Sequence, residues 1–260
     1  PMFGKIYTMI HVEIDRGCPN QCNYCAAPFL KKFFLEHGCG IYYRRKKIPR
    51  LMAEIKYLVK KYQPDYINFN SETFLAKPLE ELKEIVAGYK EIGLPFWCQT
   101  RPETVTEEKI ILLKEMGCDS MNFGIEHGNE EFRGRVLNRH GSNRQIVDGI
   151  KLMEKYGIPY TVNNIIGFPD ETRELIFDTI RLNRQLNPRT INCYLFVPYR
   201  GTPLYEICLK KGYLQKNDKV HNLIDSVRLK MNSISYEELK GLQRVFPLYA
   251  RFPELEWPKI

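Results

Sequence analysis

Six short apolar runs alternate with stretches whose apolar residues fall at helical spacing, and this alternation constrains the fold more than any other feature of the chain. The first run, His11 to Ile14, is followed by Leu51, Ile55, Leu58, Val59 and Tyr62 on one helix face. Tyr66-Ile67-Asn68-Phe69 precedes a face built of Leu79, Leu82, Ile85, Val86 and Tyr89. Phe96-Trp97-Cys98 leads to a helix after Thr106, an N-cap backed by Glu107 and Glu108. Met121 to Ile125 gives way to a polar stretch and a helix through Ile146, Ile150 and Met153. Tyr160-Thr161-Val162 opens a unit whose helix runs from about Thr172 to Leu186, and Asn192 to Val197 is the sixth run. Gly93, Gly117 and Gly157 each stand where a left-handed C-terminal cap ends a helix before the next strand.

Strict β, α alternation with short connections predicts an α/β chain with a parallel sheet covered by helices, either doubly wound or curled. Six units predict a partial barrel of TIM type rather than the closed eight, with chemistry at the carboxyl ends of the strands. We expect the core to occupy residues 1–214, and a small helical extension, residues 215–260 with the amphipathic segment Ser235 to Phe246, to pack on it.

Composition narrows the functional classes. At 260 residues and 43% hydrophobic, the chain can bury one sizeable core and is not disordered. No run approaches the roughly 20 apolar residues of a membrane helix, and Pro1 to Lys5 lack a signal-peptide pattern, so a soluble, cytoplasmic protein is expected. The formal charge of +8 permits a nucleic-acid partner without requiring one. Arg44-Arg45-Lys46-Lys47 reads first as a solvated cationic connection. A start at Pro1 suggests a piece of a longer protein with a further domain before it.

Eight cysteines are too few for a disulfide scaffold, and three of them crowd into Arg16-Gly17-Cys18-Pro19-Asn20-Gln21-Cys22-Asn23-Tyr24-Cys25. Gly17 and Pro19 suit a chain that wraps a metal centre. A closed zinc site would need a fourth ligand from His11, His37 or Cys39. An iron-sulfur cluster on three cysteines would leave one iron open, as catalysis requires. Cys39, Cys98, Cys118, Cys193 and Cys208 read as small apolar residues, with Cys98 and Cys193 expected on strands pointing toward the site.

With the aromatic Tyr24 before its third cysteine, the loop resembles the signature of the radical S-adenosylmethionine (radical SAM) enzymes. The resemblance implies that Cys18, Cys22 and Cys25 hold a [4Fe-4S] cluster. Its open iron would chelate S-adenosylmethionine (SAM), reductive cleavage would yield a 5′-deoxyadenosyl radical, and Tyr24 would lie near the adenine. Asn70-Ser71-Glu72 is similar to the family's Gly-Gly-Glu-like segment, which implies that Ser71 and Glu72 meet the ammonium of SAM. From the residues alone, Ser71 is equally a helix cap and Glu72 a solvated carboxylate.

Gln99-Thr100-Arg101-Pro102 and Gly124-Ile125-Glu126-His127-Gly128 resemble segments of the elongator-type and methylthiotransferase members. By that resemblance Arg101 and Glu126 lie at the cofactor, and Arg139, in Leu137-Asn138-Arg139-His140-Gly141, meets its carboxylate. Surface cations are the alternative for both arginines, and His127 reads as a polar neighbour. Asn163 to Thr172 is similar to a Gly-Leu-Pro-Gly-Glu-Thr segment that brings the backbone of Ile166 and Gly167 to the adenine, with Asp170 where glycine is usual. Phe196 to Leu204 is similar to the family's Pro-Gly-Thr-Pro segment and adds Val197 to the cofactor residues, while Arg200 faces substrate or solvent.

Gly4-Lys5-Ile6-Tyr7 and Leu242 to Tyr249 look most like the cobalamin-associated branch. That likeness implies methylation, rearrangement or cyclisation of a small molecule or natural product, with an electron donor such as flavodoxin or ferredoxin. Cobalamin would be held by a domain before Pro1, since no Asp-x-His-x-x-Gly occurs here. An enzyme modifying transfer RNA is the first alternative, and a non-enzymatic zinc or iron-sulfur module the second.

Overall fold

The computed structural model describes residues 6–218 and 228–260, so Gly4 and Lys5 of the branch resemblance lie outside the described residues. Strand β1 (Met9–Glu13) runs into the two-residue strand β2 (Asp15–Arg16), the cysteine loop, helix α1 (Ala26–Glu36) and a second short strand, β3 (Arg44–Arg45). Regular alternation follows through α2 (Ile48–Tyr62), β4 (Tyr66–Asn70), α3 (Leu79–Tyr89), β5 (Phe96–Thr100) and α4 (Glu107–Met116). It continues through β6 (Cys118–Glu126), α5 (Glu130–Arg135), α6 (Asn143–Lys155), β7 (Tyr160–Ile166) and α7 (Arg173–Asn183). Strand β8 (Thr190–Leu195), α8 (Pro203–Lys210) and α9 (Tyr236–Arg251) complete it.

The six longer strands form one parallel sheet in the order β1-β4-β5-β6-β7-β8, an open, partial (β/α) barrel whose edges are β1 and β8. Period-two alternation decides its two faces. On β5, Phe96, Cys98 and Thr100 are buried toward the helices while Trp97 and Gln99 are half-buried on the concave side. Tyr160, Val162, Asn164 and Ile166 of β7 are buried in the same way, leaving Thr161, Asn163 and Ile165 on the concave side. Residues of the helix-facing side join Leu82, Ile85, Ile110, Leu113, Ile146, Ile150, Ile176 and Ile180 in one core.

The start signals act as their chemistry dictates. Thr106, Thr172 and Ser235 each accept a backbone N–H from the first helical turn, and Ser142 with Gln145 forms a full capping box. Gly117 ends α4 at φ 91°, a left-handed conformation that glycine adopts without a side-chain clash. Helix α9 covers α7 and β8: Gln243 Nε2 donates to Cys193 O, and Tyr249 and Trp257 pack on Phe177. No helix among the described residues is long and apolar enough to cross a membrane.

Three expectations need correction. Cys98 lies in the helix-side core, and Cys193 sits in register with the buried Asn164, so both thiols face away from the concave side. Arg44-Arg45-Lys46-Lys47 is not wholly a loop. Its first two residues pair antiparallel with β2, Arg45 binds Glu81, and Lys46 binds Glu54 at 2.8 Å. Helix α1 is an element that the alternation did not announce, because its Phe29, Leu30 and Phe33 are exposed rather than turned to the core.

Candidate active site

Cys18, Cys22 and Cys25 line one cavity of about 200 Å3 at the carboxyl end of the sheet, together with Tyr24, Glu72, Arg101, Glu126 and Arg139. The loop that carries the thiols is fastened on several sides. Gly17 takes φ 87°, and a Cβ there would come within 2.8 Å of Tyr42 O, so both conformation and space call for glycine. Asn23 donates its backbone N–H to Leu137 O and its Nδ2 to Val136 O, each at 2.9 Å, and its carbonyl accepts from Leu204 N.

Each sulfur has a neighbouring donor. Asn20 Nδ2 lies 3.4 Å from Cys18 Sγ, Ala27 N donates to Cys25 Sγ at 3.4 Å, and Arg101 Nη1 is 3.7 Å from Cys22 Sγ. Burial pushes the Cys22 thiol up despite Arg101 and Arg139, and pushes Cys25 up to about 11. As free groups these are protonated thiols, poor nucleophiles that become useful when a metal displaces their protons. Among the described residues no three His, Cys, Asp or Glu side chains stand close enough to hold one metal ion. Thiols that share a cavity at wider spacing, each beside a donor that favours its anion, fit a cluster whose ligands sit on separate irons.

Beside the thiols lies a buried ionic network centred on Arg139, which is 2% exposed. Its Nε and Nη2 grip Glu103 at 2.9 and 3.0 Å, Nη1 donates to Glu126 Oε1 at 3.1 Å, and Nη2 also meets Gly124 O. Arg139 is therefore no surface cation, and its guanidinium is engaged by the protein itself. Burial alone would raise the Glu103 carboxyl, but Arg139 and then Arg101 hold it down at about 2. Burial pushes Glu126 up against the pull of Arg139. A register shift between Gly124 and Glu126, with Glu126 at φ 67°, folds that carboxylate back over Gly124, where any Cβ would collide with Oε1.

The other expected residues divide. Arg101 reaches Cys22 and Glu103 and is not a surface cation. Glu72 makes no hydrogen bond or ion pair among the described residues, and burial followed by Asp15 pushes its carboxyl up. Ser71 is neither a helix cap nor part of the cysteine cavity, because its hydroxyl donates to Asp15 Oδ2 at 2.9 Å. Ile166 and Val197 are buried and do not line the cavity.

Glu103 and Glu171 escaped the sequence reading as site residues. Glu171 Oε2 takes the backbone N–H groups of Gly167 and Phe168, while Oε1 receives His127 Nε2 at 2.9 Å. Since His127 Nδ1 accepts from Asn129 N, the ring proton belongs on Nε2. The segment Asn163 to Thr172 contained Glu171, but nothing local pointed to a carboxylate that shapes its own preceding turn.

The Radical SAM superfamily model matches residues 12–182. An uncharacterized methyltransferase of Pyrococcus horikoshii is 29% identical over 93% of this chain and 50% of its own length. A tRNA-2-methylthio-N(6)-dimethylallyladenosine synthase of Clostridium tetani is 25% identical over 87% of this chain and 50% of its own. The chain thus spans about half the length of these curated relatives. Among solved structures, the radical SAM methyltransferase TsrM of Kitasatospora setae superposes with a TM-score of 0.62 at 16% identity, covering 87% of this chain and 44% of that one. Methylornithine synthase gives 0.60 at 15% identity, covering 96% and 65%.

Proposed function

Because this chain belongs to the Radical SAM superfamily, we propose that Cys18, Cys22 and Cys25 hold a [4Fe-4S] cluster at which SAM is cleaved. The product radical would modify an organic substrate, and methyl transfer is the outcome we favour. The observation that carries this reading is the convergence of three donor-flanked thiols on one cavity with the unpaired Glu72 across from them. When bound, such a cluster supplies the electron that cleaves SAM to methionine and a 5′-deoxyadenosyl radical. The methyltransferase relative, matched over 93% of the chain, supports methyl transfer. Cobalamin, named for TsrM, would be held outside these residues as a second cofactor.

This chain's own groups set the conditions. Asn20, Ala27 N and Arg101 stabilise negative charge on the sulfurs. Glu72, as a carboxylate, would accept the ammonium of SAM. Arg139 and Glu103 fix Glu126 and Tyr24 between the thiols and the β7 turn, where Tyr24 packs on Phe168. An external donor would deliver the electron.

Anaerobic reconstitution with iron and sulfide, followed by SAM and a strong reductant, should yield 5′-deoxyadenosine, and Cys22→Ala should yield none. Product that persists without Cys22 would sink the proposal. A transfer-RNA substrate is the second reading, favoured by the synthase relative. It would appear as RNA binding that weakens steeply with salt, which a small-molecule enzyme does not show.

A further inference from the structure

A second cavity, about 450 Å3, adjoins the cysteine cavity through the shared walls Glu72 and Gln99. Its size suits a small organic molecule. Asn68 and Asn70 of β4 line it on the concave side, with Trp97 and Gln99 of β5. Among the described residues, four buried side-chain polar atoms lack a hydrogen-bond partner, and three of them are acceptors on these two cavities: Asp15 Oδ1, Asn68 Oδ1 and Asn122 Oδ1. Buried acceptors without donors are costly, and three together call for a ligand that brings N–H or O–H groups. Gln99 adds an amide with no partner among the described residues.

Charge restricts the ligand further. Glu13, Asp15 and Glu72 face the cavity against one guanidinium, Arg16, which is already bound to Glu13 through two contacts of 2.8 Å. Lys77 lies behind the wall, 1% exposed at its side chain, and is spent on Asp15. An anion entering here would meet carboxylates and no free cation on the lining. Trp97 offers a flat apolar surface beside the amides.

We propose that this second cavity seats the molecule acted upon, and that this molecule is a neutral or cationic hydrogen-bond donor with a flat apolar portion. The inference rests on reading the neighbouring cysteine cavity as the SAM site. It disfavours carboxylate- and phosphate-bearing groups at the reacting end of the substrate.

Four probes that share a phenyl ring separate the possibilities: benzylamine, benzamide, benzoate and phenyl phosphate. Their binding to the reconstituted protein is read by saturation-transfer NMR, where fragments of this size bind with Kd of roughly 10 mM or tighter. Benzylamine and benzamide should bind at least about tenfold tighter than the two anions. Asn68→Leu should weaken benzamide about fivefold or more, and so should Gln99→Leu, whose side chain holds no internal contact to lose. Equal or tighter binding of the anions overturns the proposal, as does benzamide binding unchanged in both variants, or no binding by any probe. The 5′-deoxyadenosine assay is scored separately on the same preparation. Its failure would strike the cofactor reading, while the probe preference reports on the second cavity alone.

Discussion

Arg139 shows how far a single side chain reaches in this site, because it joins Glu103, Glu126 and Gly124 in one buried network. Replacing Glu103 by Gln leaves a buried guanidinium short of an anion and should cost about 3 kcal/mol in urea unfolding. The pH dependence has a definite sign. Glu103, held at about 2 in the fold, contributes stability that is present above the ordinary carboxylate value and is lost as pH falls from near 4.5 toward 2. E103Q should flatten that acid limb, and an unchanged limb would refute the assignment. Gly124→Ala should destabilise by roughly 1–3 kcal/mol and displace Glu126, since the new methyl falls on its carboxylate. The cysteine triplet was legible because its spacing is local. Glu103 was not, since its partner Arg139 lies 36 residues away.

At the scale of elements, every apolar run became a strand of the sheet, because a strand buried under helices must be apolar on that side whatever its neighbours do. Helix α1 stayed hidden for the converse reason: Phe29, Leu30 and Phe33 are partly exposed, so its pattern does not mark a core face. The β7 turn depends on one carboxylate. Removing it in Glu171→Ala strands the Gly167 and Phe168 N–H groups and the His127 proton in a dry setting, a loss of about 3 kcal/mol or more. SAM affinity should fall alongside if the turn borders the cofactor, and calorimetric titration of the reconstituted variant measures it. Affinity equal to wild type would remove that turn from the site.

Across the whole molecule, the open barrel gathers two adjoining cavities on its concave side, one ringed by thiols and one by amides and carboxylates. The amide-lined cavity was illegible in advance, because Asn68, Trp97 and Gln99 converge only once the strands are in register. The most direct test of the account is electron paramagnetic resonance of the reconstituted, reduced protein, with iron and zinc content, before and after SAM is added. The account predicts a [4Fe-4S] signal that changes with SAM and is absent in Cys22→Ala. A colourless protein carrying one zinc, or a cluster signal indifferent to SAM, would contradict it.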